Sequence, residues 1–93
     1  MAEIVEETRV SRNPAILAAE VDSETVIMSI AAGRYYGLDD IGTVVWKRID
    51  PPCSFRELVD GLAADYEADR ATIAFDVRAL LDRMVQEDVV RID

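Results

Sequence analysis

The hydrophobic pattern of this chain changes period once, near residue 39. Before that point, short runs rich in β-branched and aromatic residues alternate with turn signals. Ile16 to Asp22 reads as a strand, with Asp22-Ser23 at its turn. Glu24 to Ile30 alternates and places Val26, Met28 and Ile30 on one face, the pattern of a half-buried strand. Ala31-Ala32-Gly33 supplies a tight turn, and Arg34 to Leu38 is a third short strand carrying two tyrosines. Consecutive short strands joined by tight turns predict an antiparallel meander.

After residue 39 the spacing becomes helical. Asp39 or Asp40 is a good N-cap for a helix carrying Ile41, Val44, Val45 and Ile49, with Trp46 expected in the core. Pro51-Pro52 ends it. Ser54 and Glu57 form a capping box for a second helix. Its stripe is Phe55, Leu58, Val59, Leu62 and Tyr66. A third helix runs from about Arg70 to Glu87, with Ile73, Val77, Leu80, Leu81 and Met84 as its core face. Val89 to Ile92 can close as a final strand. Residues 1–14 mix charges and end at the turn signal Asn13-Pro14, so they are expected to be an irregular, flexible arm. Residues 15–93 are expected to be a single domain. The order predicts an α+β fold, a winged helix-turn-helix with an N-terminal three-stranded antiparallel sheet and three helices.

Composition narrows the chemistry. The 93 residues carry a net charge of −9, and no histidine is present. An acidic surface repels duplex DNA and anionic membranes, and few Lys or Arg are available to displace counterions. Neither nucleic acid nor membrane is therefore an expected partner. The apolar runs are too short to span a bilayer. The acidic Met1-Ala2-Glu3-Ile4-Val5-Glu6-Glu7 stretch lacks the basic start and apolar core of a signal peptide, so a cytoplasmic location is expected. Without histidine the commonest general base and metal ligand is missing. Cys53 has no cysteine partner and no adjacent base, so it reads as a small apolar side chain rather than a nucleophile. Glycine-rich phosphate loops, zinc spacings and nucleophile elbows are missing from the sequence. Val21-Asp22-Ser23 has the Asp-Ser of acyl carrier proteins, but between two strands instead of at a helix start. No enzyme activity, metal or cofactor is expected.

Two features stand out from the core pattern. The third strand is an edge if the meander order holds, yet Tyr35 and Tyr36 occupy it in place of blunting charges or proline. An open aromatic edge suits addition of a guest peptide as an extra strand. On the third helix, Thr72, Asp76, Ala79 and Arg83 share a side next to the core stripe, as a groove wall or as a solvated face. Phe75 points roughly opposite the core stripe.

Tyr35-Tyr36-Gly37-Leu38-Asp39-Asp40-Ile41-Gly42-Thr43-Val44-Val45-Trp46 resembles the hallmark of the PqqD-like family. Thr72-Ile73-Ala74-Phe75-Asp76-Val77-Arg78-Ala79-Leu80-Leu81 resembles the family's second hallmark, in the last helix. Phe55-Arg56-Glu57-Leu58-Val59 fits between them. The resemblance spans roughly residues 12–92. Glu87-Asp88 departs from it, standing where the family commonly ends its last helix in glycine.

The resemblance implies a RiPP recognition element, a non-catalytic domain that binds the leader segment of a ribosomally made precursor peptide. The leader adds beside the third strand, lies against the third helix and is presented to a maturation enzyme. The Tyr-Tyr-Gly-Leu-Asp stretch most resembles the discrete recognition proteins of lasso-peptide pathways, where the partner is a leader peptidase and the leader carries Tyr, Pro and Leu anchors. Similar domains serve radical-SAM pathways. On this footing Gly33, Arg34, Tyr35, Tyr36, Gly37 and Leu38 are expected to supply the pairing strand. Asp76, Ala79, Leu80, Arg83 and Met84 are expected to form the helical wall. Tyr35, Met28 and Ile30 would line apolar pockets, or Met28 and Ile30 would belong to the core. The expected state is a monomer or a weak dimer through the open edge. The rival reading is a winged-helix DNA-binding regulator, for which Asp76, Asp82, Glu87 and Asp88 make the third helix a poor match to phosphates.

Overall fold

The computed structural model describes residues 3–93. Its elements are β1 (Arg9–Arg12), β2 (Ile16–Val21), β3 (Glu24–Ser29), β4 (Arg34–Leu38), α1 (Asp40–Arg48), β5 (Cys53–Ser54), α2 (Phe55–Tyr66), α3 (Arg70–Gln86) and β6 (Val90–Ile92). They form three helices and two antiparallel three-stranded sheets, an α+β winged helix-turn-helix arrangement. The meander β2-β3-β4 is one sheet, with β4 at its edge. The other sheet has the order β5-β1-β6.

The second sheet corrects the expectation of an irregular arm over residues 1–14. Met1 and Ala2 lie outside the described residues, but Arg9–Arg12 is the central strand of a sheet. Val10 and Ile4 are buried in the core. Four residues flanked by charge give too little alternation to register as a strand. What holds them is pairing with two partners from distant parts of the chain, Cys53-Ser54 and Val90–Ile92. Arg12 adds a tie: its guanidinium lies 4.4 Å from the centroid of the Trp46 ring, and its Nε donates to the Trp46 carbonyl at 2.9 Å. Cation–π contact and hydrogen bond together fasten β1 to α1.

The helices start where their caps place them. Asp39 accepts from the Gly42 amide, Asp69 accepts from the Thr72 amide, and Ser54 with Glu57 closes a full capping box. The hydrogen bonds from Ser54 hold the Glu57 carboxyl below its ordinary pKa. Phe55, Leu58, Val59 and Leu62 of α2 pack with Val77, Leu81 and Met84 of α3 in one core, joined by Val45 and Trp46 of α1 and by Ile49 at its C-cap. Each buried aliphatic or aromatic side chain there contributes about 1.5–3 kcal/mol. At the end of α3, Asp88 takes the left-handed conformation with φ 60°. The Val89 amide donates to the Met84 carbonyl and the Asp88 amide to the Val85 carbonyl, the bonds of a Schellman motif. Aspartate thus fills the place where glycine was expected.

The inward face of the meander differs from the expected one. Thr25 and Ile27 point into the core, whereas Val26 and Met28 face outward and Ile30 falls in the β3–β4 turn, 74% exposed. The run Val26-Ile27-Met28 is apolar in both phases, so alternation alone does not choose between them. The choice comes from register: Ile27 stands between Ala18 and Tyr36, and Ile27 and Tyr36 both reach the core cluster. One consequence is a buried Thr25 hydroxyl that finds no hydrogen-bond partner among the described residues. The β2–β3 loop is a two-residue turn in which Asp22 and Ser23 both have positive φ, the signature of a type I′ hairpin.

Asn13 joins the two sheets. Its side-chain amide donates to the Asp88 carbonyl at 2.7 Å, and its side-chain oxygen accepts from the Ala15 amide at 3.0 Å. Its own amide donates to the Val89 carbonyl, and its carbonyl accepts from the Ile16 amide, each at 3.0 Å. The residue is buried.

Two stability outcomes follow and are measured by urea denaturation. Thr25→Val removes an unpartnered buried hydroxyl at constant shape and is expected to raise stability by about 1 kcal/mol. Asn13→Ala strands the Ala15 amide and the Asp88 carbonyl and is expected to lower it by about 2–3 kcal/mol. A Thr25→Val variant less stable than the parent would show that the hydroxyl is satisfied.

Candidate functional site: a cleft beside an open strand edge

The antiparallel meander leaves the outer edge of β4 unpaired, and α3 runs alongside it. A cleft of about 460 Å³ opens between them. Its floor and walls are apolar where Ile27, Leu38, Leu80, Met84 and Val89 meet, and polar where Asp39, Arg83, Gln86 and Glu87 reach it. Gly42, at the start of α1, also lines the cleft. A Cβ there would stand 3.0 Å from an Asp39 carboxylate oxygen and 3.5 Å from the Leu38 Cβ, so its bare backbone keeps that end open.

Local sequence explains why the cleft has this composition. The two-residue repeat of β4 turns Tyr36 and Leu38 toward the core side and Tyr35 and Gly37 away from it. The helical repeat of α3 places Leu80 and Met84 on one line, with Arg83 beside them. Near the C-terminal end of α3 the Tyr36 hydroxyl donates to the Glu87 carboxylate at 2.6 Å. The Arg34 guanidinium lies 3.4 Å from the same oxygen. Tyr36 first, and Glu87 after it, raise the already high pKa of Arg34, so this cation persists at any ordinary pH. The Asp39 carboxylate is held as the cap of α1, accepting from the Gly42 amide at 2.8 Å.

The sequence-derived candidates divide accordingly. Tyr36, Gly37, Leu38, Leu80, Arg83 and Met84 come together around the cleft. Arg34 reaches its end through Glu87. Gly33 sits in the β3–β4 turn with φ 66°. Asp76 and Ala79 are exposed positions on α3 that do not line the cleft. Met28 and Tyr35 are cross-strand neighbours on the outward face of the meander, where Leu17 is the next residue in the row. Tyr35 is 77% exposed there. Neither Met28 nor Ile30 is a cleft pocket or a core residue, because β3 presents the other phase inward. Phe75 is likewise exposed, at 72%.

Ile27, Asp39, Gly42, Gln86, Glu87 and Val89 also line the cleft, although none was among the site residues expected from sequence. Asp39 and Glu87 have local roles as the N-cap of α1 and the C-cap of α3, and sequence spacing does not reveal that both also reach the cleft. Cys53 is half-buried, and burial pushes its thiol pKa up, with Glu57 adding to the effect. A raised pKa keeps the thiol protonated and poorly nucleophilic. No helix among the described residues is long and apolar enough to cross a membrane.

A small α+β domain with an open strand edge beside a helix-lined cleft is the class that these features define. The chain belongs to the family described as "Coenzyme PQQ synthesis protein D (PqqD)", which it matches over residues 24–90. It is 38% identical over 63 residues to the PqqA binding proteins of Xanthomonas euvesicatoria pv. vesicatoria (strain 85-10) and Xanthomonas axonopodis pv. citri (strain 306). The match covers 68% of this chain and 68% of each relative. Among solved structures it is similar to TbiB1 in complex with the TbiA(beta) leader peptide, with a TM-score of 0.80 and 28% identity. That similarity covers 87% of this chain and 94% of the other. The fold is also that of a lasso peptide synthetase B1 complexed with its leader peptide (TM-score 0.77, 23% identity, 88% and 96% covered). It is shared too by the PqqD truncation of Methylobacterium extorquens PqqCD, a RiPP recognition element (TM-score 0.74, 21% identity, 89% and 88% covered).

The Tyr36–Glu87 bond ties the edge strand to the end of α3. Tyr36→Phe is expected to lower stability by about 0.5–1 kcal/mol in urea denaturation, since Glu87 is exposed and water replaces the lost donor. A loss above 2 kcal/mol would mean that the bond has no such substitute.

Proposed function

We propose that this chain is a non-catalytic adaptor that binds the leader segment of a ribosomally made precursor peptide. The leader adds as a strand on β4, its alternate side chains enter the cleft against α3, and the domain delivers it to a maturation enzyme. The observation that carries this reading is the unpaired β4 edge running beside an apolar cleft. The likeness to TbiB1, solved with a leader peptide, supports it.

Energetics favour a peptide in this place. Main-chain hydrogen bonds along an added strand are worth about 1 kcal/mol net each. Apolar anchors against Ile27, Leu80 and Met84 add about 1.5–3 kcal/mol apiece, less the cost of ordering the peptide. Affinity then depends on two or three anchors, and register comes from the backbone. The raised thiol pKa of Cys53 and the lack of histidine weigh against catalysis. A net charge of −9 weighs against duplex DNA.

The partner enzyme has two readings. The Tyr35-Tyr36-Gly37-Leu38-Asp39 stretch, which resembles that of the discrete lasso-pathway recognition proteins, favours a leader peptidase. The match to the PqqD family and to PqqA binding proteins favours a radical-SAM pathway of the PQQ type. Both use the same leader-binding step. Fluorescence anisotropy tests it, with a labelled leader peptide from the precursor encoded beside this chain titrated with the intact protein. Saturable binding is expected, competed by unlabelled leader and not by core peptide. Leu80→Asp is expected to weaken it at least tenfold with the circular dichroism spectrum unchanged. Amide exchange in β4 is expected to slow on binding. Absence of binding at tens of micromolar protein, or no change in β4 exchange, would overturn strand addition.

A further inference from the structure

Charge in the cleft is unevenly satisfied. Three ionised side chains line it: Asp39, Arg83 and Glu87. Asp39 is committed to the cap of α1 and Glu87 to Tyr36 and Arg34. The Arg83 guanidinium makes no ion pair and no hydrogen bond to any described residue, although the protein carries 19 acidic side chains against 10 basic ones. Six of those ten cations are in ion pairs: Arg12, Arg34, Lys47, Arg48, Arg56 and Arg70. Arg83 is exposed and stands on the helical wall between Leu80 and Met84. An unpaired guanidinium on an apolar wall offers a planar fork to a carboxylate that approaches from solvent.

We infer that Arg83 is a specificity residue that receives one carboxylate of the guest strand. This rests on the leader-binding reading and names the chemistry of the leader it selects. The guest carries a single Asp or Glu on the same face as its apolar anchors. Side chains of a strand alternate, so that acid lies an even number of residues from an anchor. The long-range field of the protein disfavours a strongly acidic peptide, whereas Arg83 favours one acid at one place. Selection therefore acts on position, not on the overall acidity of the leader. A pair formed on the rim of the cleft, partly shielded by the bound strand, is worth a modest factor in affinity.

The test is a double-mutant cycle by anisotropy, using the intact protein and the same labelled leader peptide. Alanine replacements first locate the leader's apolar anchors. Each leader acid is then changed to its amide, against wild type and Arg83→Gln. One acid, an even number of residues from an anchor, is expected to raise Kd about five- to tenfold with wild type when amidated. With Arg83→Gln the same change is expected to alter Kd less than twofold. Arg83→Lys is expected to retain part of the preference, and raised salt to erode it. Leader binding that is unchanged by Arg83→Gln, or in which no acid couples to residue 83, overturns the inference and leaves leader binding intact. A leader without an acid on that face overturns it in the same way. Failure of wild type to bind the leader overturns the underlying reading and this one with it.

Discussion

Asn13 is the point on which the architecture turns. Its four hydrogen bonds join the start of the meander to the chain just beyond α3, where Asp88 stands 75 residues further along. The β5-β1-β6 sheet is packed into the helical core, whereas the β2-β3-β4 sheet projects from it. Asn13 lies on the short passage of chain that leads from β1 of the one to β2 of the other. A buried side-chain amide bonded through both its nitrogen and its oxygen favours one orientation at that passage, because rotation would leave those polar groups unpaired away from water. It fixes where the meander begins relative to the chain that leaves α3.

The cleft lies between β4 of that meander and α3. β4 has a partner on one side only, so its outer N–H and C=O groups stay open beside the wall of α3. Proteins usually blunt such an edge. Here Arg34, at the strand's start, is drawn by Glu87 toward the end of α3, and the middle of the edge carries Tyr36 and Gly37. Aromatic and glycine residues leave a peptide free to approach. The outward face of the meander is also apolar, with Leu17, Met28 and Tyr35 in one cross-strand row, so the wing is not a two-layer sheet with a solvated polar back.

Electrostatics divide into two scales. The overall acidity acts over distances of about a Debye length and biases which partners approach. Within the cleft each charge has its own setting: Glu87 is paired with Arg34 across 53 residues, Asp39 caps α1, and Arg83 is left without an ion pair among the described residues. Local chemistry at the cleft is thus nearly independent of the global charge, and a cation on its wall acts in an otherwise acidic protein.

Much of this molecule was legible in the sequence wherever a signal is local. The caps at Asp39 and Ser54, the helices α2 and α3 and the three meander strands formed where local pattern placed them, although Tyr66, the last residue of the expected α2 stripe, is exposed and Ile73 and Leu80 of α3 are only half-buried. A capping side chain or a repeated apolar spacing carries its own physical reason. Other features needed partners remote in the chain. Arg9–Arg12 became a strand through Cys53 and Val90–Ile92. The phase of β3 was decided by Tyr36 and Ala18, because Val26-Ile27-Met28 satisfies either phase. That choice moved Met28 and Tyr35 off the cleft and brought Ile27 to it. Asp88 took a conformation that favours glycine because Asn13 and the Schellman bonds hold it there. The sequence by itself determined the three helices and the meander strands, since those follow from neighbours along the chain. Tertiary structure alone decided which faces meet, because burial and pairing depend on residues that only folding brings together.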